Sequence, residues 1–498
     1  MGGEHLLALD AGTSGARCLV LRPGAGPVAV ARREWCYQTP PEIAPLGRSF
    51  DPKEFWSILC DVTHRALAES GLSGNDIGAI GVTSQRQGLV VIDDVGRPLY
   101  AGPNLDVRAL AEGLAIDGRL AERVYDSTGK LPSVIMAPAR LQWLRSHDEA
   151  AFERAAAVLT IADWVAYRLT GEPRAERSLA GECGLLNITT MTRDEELLAE
   201  LEVPSRLLPP LVSAQDVAGE VSSVAAQEIG LMAGTPVVIA GSDTQCGLVG
   251  LGAAEPGEVG VISGWSCPVQ QVTAEPRLDP ARRTWSGPHV LPDRWVVESS
   301  AGDAGGMWRW WCETLLGEEG GALDEGAALA AEAAPGGGGA VALLGPGIMN
   351  AGAMGLHQGG VLITTPLAMS ALGRAELLRA ALENIAYALR ANLEQAEEVS
   401  GLLAKRIALG GGFTRVPIFP QILADVLARP IEVARELDVS ARGAALLAAR
   451  ATGVSKEPLA LPTERLEPEP AAVEIYRRQY ERWRRLGEAL DRTMQEGS

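Results

Sequence analysis

"LLALDAGTSGARCLVL", residues 6–21, joins two apolar runs through a turn that begins at Asp10. Short runs rich in Leu, Val and Ala read as strands, and the Gly/Thr/Ser cluster between them as a tight turn. Three readings compete for that turn: an ordinary hairpin, a covalent nucleophile at Ser14, or a cradle for phosphate. "DAGTSG" sets two hydroxyls and two glycines within a few positions of Asp10, enough N–H and O–H groups to wrap a phosphate without a clashing side chain. Arg17, on the return strand, adds positive charge. Asp10 is itself anionic and does not bind phosphate directly, so its fitting job is to hold Mg²⁺ beside it through water. The nucleophile reading has the least material: "GTSGA" lacks the second glycine of GxSxG, and no histidine follows in a suggestive context. Taken by itself, the stretch leaves phosphate loop and plain hairpin both open.

The whole chain bounds the answer. Its 498 residues suggest two to four domains, two large lobes being the simplest arrangement. A formal net charge of −19 argues against nucleic acid or an anionic membrane as main partner. It says nothing against a small anionic ligand, which local N–H groups and one or two basic side chains can hold. The 7 cysteines are odd in number and never spaced CxxC, which reads as a reducing cytoplasm without a zinc or iron–sulfur site. With no export signal and no long apolar run, the expected location is cytoplasmic.

Along the chain, "HLLALD", "ARCLVLR" and "PVAVARREW" read as an antiparallel meander. A helix follows at "DPKEFWSILCDVTHRALAESG", with Asp51 to cap it, Pro52 at its first position and Gly71 to close it. Ile77 to Val82 is a buried strand with "SQRQG" as the loop at its end, and the first lobe reads as α/β around a mixed sheet. Composition shifts near residue 250, where "GEVGVISGWSCPVQQVT" repeats the opening grammar. The expected division is 1–245 and 246–498, the latter ending in a docking helix over 470–498 that carries Tyr476, Tyr480, Trp483, Leu486 and Leu490. Residues 317–340, rich in Gly and Ala, read as a mobile surface insertion. "LLRAALENIAYALRANLEQAEEVSG" is a helix whose apolar stripe includes Leu378, Leu382, Ile385, Leu389 and Leu393.

Three further constellations carry chemistry. Asp243 follows an apolar strand in "VVIAGSDTQCGLVGLG", with no basic neighbour in sequence. It is either a helix N-cap or a base that orients and deprotonates a substrate hydroxyl. "SQRQG" and "NLDVRA" set Gln85, Arg86, Gln87, Asn104, Asp106 and Arg108 at the ends of extended segments, which suits a polyhydroxylated ligand. An Arg/Asp ion pair stapling the loops is the plainer reading, and the preferred one for Arg108. "LGGGFTRVPIFPQILADVL" places three glycines between strand and helix, where a nucleotide can approach backbone N–H groups.

With "DAGTSGAR", "GSDTQCGLVG", "LGGGFTRVPIFPQILADVL" and "SARGAALLAA" in this order, nearly the full chain resembles the FGGY carbohydrate kinases, the family of xylulokinase and glycerol kinase. The resemblance implies a two-lobed α/β fold of the actin/Hsp70 (ribonuclease H-like) type, with ATP and a small sugar or polyol in the interlobe cleft. It makes Asp243 the general base and Asp10 the residue assisting Mg²⁺. Thr13, Ser14 and Arg17 would contact nucleotide phosphates from the first lobe, Gly264 and Ser266 from the second, with Gly411 and Gly412 near the adenosine. Substrate hydroxyls would meet Arg86, Gln87, Asn104, Asp106 and Asp243. A homodimer is compatible with the resemblance.

Departures from the family pattern bear on the substrate. Asn104 stands where many members have Trp, and Arg86-Gln87 where xylulokinases have Met-His. Both look more like the branch that phosphorylates autoinducer-2. Trp265 replaces the usual Thr in the second-lobe phosphate turn. Two other readings stay open: an actin/Hsp70-like ATPase that phosphorylates no sugar, and a catalytically silent sugar-binding homologue.

Overall fold

The first strand, β1 (His5–Ala11), is apolar at consecutive positions because both of its faces are covered. Leu7 and Leu9 pack with the helix Pro52–Ser70, while Leu6 and Ala8 pack with the Ala-rich helix Val439–Thr452. This computed structural model describes residues 3–317, 321–353, 359–363, 372–436, 438–455 and 461–497. The chain divides into two units, the first comprising 1–256, 272–296 and 438–460, the second 257–271, 297–437 and 461–498. The expected changeover at 245/246 thus falls within the helix Asp243–Gly250, and residues 438–460 return to the first unit. Their helix supplies the alanines that cover one face of the first sheet, so the two units are not contiguous stretches of sequence.

In the first unit, β1, β2 (Gly15–Arg22) and β3 (Gly26–Glu34) form the expected antiparallel meander. On its other side β1 runs parallel to β4 (Ile77–Ser84), and β4 runs parallel to the strand Pro236–Ser242. A short antiparallel strand, Gly219–Glu220, completes this six-stranded sheet. Register aligns Ala11 with Ser84 and Ser84 with Ser242. Three parallel strands therefore end at one edge, and the residues that follow them emerge together. In open α/β sheets, ligands gather outside the carboxyl ends of the strands. The helix Pro52–Ser70 is capped as expected: Asp51 accepts from the Lys53 N–H at 2.9 Å, and Gly71 adopts a left-handed φ of 69°.

The second unit repeats the motif. Its strands Glu258–Ser263 and Ser266–Thr273 form an antiparallel hairpin, and Glu258–Ser263 runs parallel to Arg406–Gly411, which runs parallel to Ile431–Ala434. The 27-residue helix Arg374–Ser400 is the spine of its core. Tyr476, Tyr480 and Trp483 of the helix Pro470–Gly497 are buried in the same core, as their spacing predicts. The expected surface insertion at 317–340 is corrected: Ala322–Glu332 is a helix, and its Ala327 and Ala330 are buried in the core. Alanine has the highest helix propensity, so this composition specifies a helix where low complexity suggests a loop. Residues 318–320 lie outside the described residues.

Candidate active site

Asp10 lies at the carboxyl end of β1, directly opposite Arg17 across the β1–β2 ladder. The Arg17 Nη1–H donates to Asp10 Oδ2 at 2.8 Å, while the buried Oδ1 has no hydrogen-bond partner. Burial pushes the Asp10 carboxyl above its ordinary range, against the lowering effect of Arg17. Arg17 also lies 3.7 Å from Asp438, at the start of the Ala-rich helix, and Arg32 binds the same carboxylate.

The turn after β1 is pinned from several directions. Thr13 offers its carbonyl to Trp35 Nε1 at 3.2 Å and to the Tyr37 hydroxyl at 2.6 Å, and its own hydroxyl accepts from Asn104 Nδ2 at 2.9 Å. Gln85 donates to the Gly12 carbonyl at 3.1 Å and accepts from the Asn104 backbone N–H at 2.9 Å. Two sequence-distant loops are thereby held on this one turn, and Ser14 is left exposed. Asn104 Oδ1 is buried without a partner.

Asp243 is the first residue of the helix Asp243–Gly250, with Ser242 in the N-cap position, so the N-cap reading of Asp243 is replaced. The strand bulges before it: register shifts between Ile239 and Gly241, and Gly241 takes a φ of +101°. A Cβ there would meet Val290 at 2.4 Å and Ser178 at 2.6 Å, so only glycine fits. Desolvation, and next the negative charge of Asp10, push the Asp243 carboxyl up to about 7, against Arg86, the Thr244 backbone N–H and Arg17. A carboxylate tuned to this range accepts a proton readily near neutral pH.

Arg86 and Gln87 follow β4, and Gln87 takes a positive φ of 57°, rare for a side-chain-bearing residue. Both reach Glu182: Arg86 Nη1 at 3.3 Å and Gln87 Nε2 at 3.3 Å from Oε2. Lys130 Nζ lies 3.0 Å and Gln245 Nε2 3.4 Å from Oε1 of the same carboxylate. Burial raises the Glu182 pKa, but Lys130 and Arg86 outweigh it and hold the carboxyl below its usual range. Composition and spacing did not single out Glu182, Lys130 or Arg140. Arg140, fully buried, donates to the carbonyls of Gln87 and Asp106 and ties the two polar loops together.

Asp106 is buried and engaged within the protein. Its carboxylate accepts from Arg108 Nε at 2.8 and 2.9 Å, from the Arg48 N–H at 3.0 Å and from the Tyr100 hydroxyl. The Arg108 guanidinium also lies over the rings of Tyr100 and Trp143. The ion-pair reading of Arg108 therefore describes this corner, with Asp106 as its anchor.

In the second unit, Gly264 and Ser266 flank Trp265 at the hairpin turn, where the Gly264 N–H donates to the Ser266 carbonyl at 3.0 Å. Trp265 is 48% exposed, and its carbonyl accepts from the Gly305 N–H at 2.8 Å. Gly411 ends the strand that runs parallel to Glu258–Ser263, Gly412 follows it, and Ser263 donates to the Gly410 carbonyl at 2.6 Å.

Asp10 and Asp243 stand at the ends of the two parallel strands on either side of β4, beside a hydroxyl- and glycine-rich turn, at the sheet edge where α/β folds gather ligands. Residues 5–250 match the N-terminal domain, and residues 261–452 the C-terminal domain, of the FGGY family of carbohydrate kinases. The chain belongs to the FGGY family and is an ATP-dependent carbohydrate kinase. It is 30% identical over 505 residues to the autoinducer-2 kinase of Escherichia coli (strain K12), covering 96% of this chain and 93% of that protein. A xylulose kinase from Rhodospirillum rubrum superposes with a TM-score of 0.84 at 26% identity, covering 98% of this chain and 99% of that one. Plasmodium falciparum glycerol kinase with ADP shares the fold, with a TM-score of 0.83 at 17% identity, covering 97% and 98%. Among the described residues, no helix is long and apolar enough to cross a membrane.

Proposed function

We propose that this kinase transfers the γ-phosphoryl group of ATP to a hydroxyl of a small ketose or polyol-like metabolite, with Asp243 as general base. The observation that carries the reading is the emergence of Asp10, Arg86 and Asp243 from one sheet edge, with the Asp243 carboxyl pushed up to about 7. Autoinducer-2 is the first candidate acceptor. The name of the 30% identical relatives and the presence of Arg86-Gln87 and Asn104 support it.

Phosphoryl transfer asks the protein for positioning and charge stabilisation more than covalent work. Asp243 accepts the proton of the attacking hydroxyl, and Arg86, Gln87 and Asn104 orient the acceptor. Asp106 acts behind them, fixing Arg108 and the loop. Thr13, Ser14 and Arg17 receive nucleotide phosphates in 1–245; Gly264 and Ser266 do so in 246–498, with Gly411 and Gly412 beside the adenosine. The unpartnered Asp10 Oδ1 fits a hard cation, so Asp10 would hold Mg²⁺ directly or through water. When bound, Mg²⁺ neutralises phosphate charge. All seven cysteines are free and six are buried, which supports a reducing, cytoplasmic setting.

The test is ATP consumption by purified protein against a panel of ketoses, polyols and autoinducer-2. Acceptor-dependent ADP release, strongest for autoinducer-2, is the expected result. Saturable acceptor binding without phosphoryl transfer would instead support the silent homologue.

A further inference from the structure

The Glu182 carboxylate divides its two oxygens between two parts of the first unit. Oε2 faces Arg86 and Gln87, on the loop after β4, and Oε1 faces Lys130 and Gln245. Gln245 stands two residues after Asp243 on the same helix. Trp285 covers the cluster, its ring 5.2 Å from the Arg86 guanidinium carbon and 4.9 Å from Lys130 Nζ. Glu182 and Lys130 are both about 1% exposed, and their charged groups are engaged within the protein.

We propose that Glu182 is a positioning residue for phosphoryl transfer, setting the acceptor-binding loop against the helix that begins at Asp243, with Lys130 as its buried counter-cation. The proposal rests on the reading of Arg86 and Gln87 as acceptor ligands. One carboxylate meeting two cations is shared between them, so the pull that Glu182 exerts on Arg86 depends on Lys130. Lys130 draws Oε1 while Oε2 aligns Arg86 and Gln87. Shortening the side chain by one methylene keeps the charge but shortens its reach. Removing the carboxylate alone leaves two cations over one indole without their counter-charge. Removing carboxylate and ammonium together returns the cluster to its wild-type net charge and leaves Arg86 as the single cation over Trp285.

The experiment measures kcat and both KM values in the full-length enzyme with autoinducer-2 and D-xylulose as probes. Wild type is compared with Glu182→Asp, Glu182→Gln, Lys130→Met, the Glu182→Gln/Lys130→Met double variant and Arg86→Ala. Glu182→Asp is expected to raise the acceptor KM about tenfold while the ATP KM stays within about twofold, a split that general loosening of the fold would not give. The double variant is expected to have an acceptor KM nearer wild type than Glu182→Gln, the non-additivity of a coupled pair. If Glu182→Gln does not fold, Glu182→Asp decides by its KM split and the double variant by comparison with Lys130→Met. An unchanged acceptor KM in Glu182→Asp, or equal rises in both KM values, overturns the proposal provided Arg86→Ala raises the acceptor KM. If Arg86→Ala leaves the acceptor KM unchanged, or wild type phosphorylates neither probe, the underlying acceptor reading falls instead.

Discussion

Asp10 and Arg17 face each other across the β1–β2 ladder, and their 2.8 Å ion pair engages only one oxygen of the Asp10 carboxylate. The other oxygen is buried and unpartnered, an arrangement that costs free energy unless a cation or a bound water completes it. Asp10→Asn keeps the shape but removes the charge. Its turnover is expected to fall by roughly 100-fold, and the Mg²⁺ concentration for half-maximal rate to rise. A Mg²⁺ titration of initial rate checks this; an unchanged half-saturation point removes Asp10 from the metal's surroundings.

Asp243→Asn is expected to lower kcat by about 10²–10⁴-fold, the usual contribution of a general base, while ADP binding measured by calorimetry stays within about twofold. The wild-type pH profile tests the same residue. A base must be ionised to act, and Asp243 is pushed up to about 7, so kcat/KM should fall as pH drops through that value and level off above it. A profile flat from pH 5 to pH 9 would assign proton acceptance elsewhere.

The parts of this site that were legible in the sequence are the ends of continuous apolar strands. Asp10 and Asp243 each stand at the end of such a run, and their placement at one sheet edge follows from it. Glu182 was illegible for a physical reason: its partners Arg86, Gln87, Lys130 and Gln245 lie 96, 95, 52 and 63 residues away, and only folding brings them together. Asp106 shows the opposite limit. Its loop was recognisable as polar, but neighbouring residue types do not reveal the ion pair with Arg108 that the fold makes. The alternation of strands and helices also hid the return of 438–460 to the first unit, because an Ala-rich helix carries no mark of which sheet it will cover.

Arg108→Ala is expected to act mainly on stability. It strips a buried carboxylate of the Arg108 Nε–H that its two oxygens share and removes the guanidinium over Tyr100 and Trp143. Breaking a buried pair by deleting one member typically costs about 3–5 kcal/mol. Urea denaturation should show a lower midpoint, and the surviving folded enzyme should keep its ATP KM. A midpoint equal to wild type with a raised acceptor KM would make Arg108 a ligand contact.

Gly411→Ala tests the second unit. Gly411 is the last residue of the strand that runs parallel to Glu258–Ser263 and takes a φ of +94°, a conformation strained for alanine. A Cβ there would stand 2.4 Å from the Ser263 backbone oxygen, so the two strand ends must part. Ser263 also donates to the Gly410 carbonyl and accepts from the Phe413 N–H at 3.3 Å, so parting them loosens the turn carrying Gly412. With Gly411 and Gly412 beside the adenosine, the variant should raise the ATP KM about tenfold or more and leave the acceptor KM within about twofold. A raised acceptor KM with unchanged ATP KM would move these glycines out of the nucleotide's surroundings.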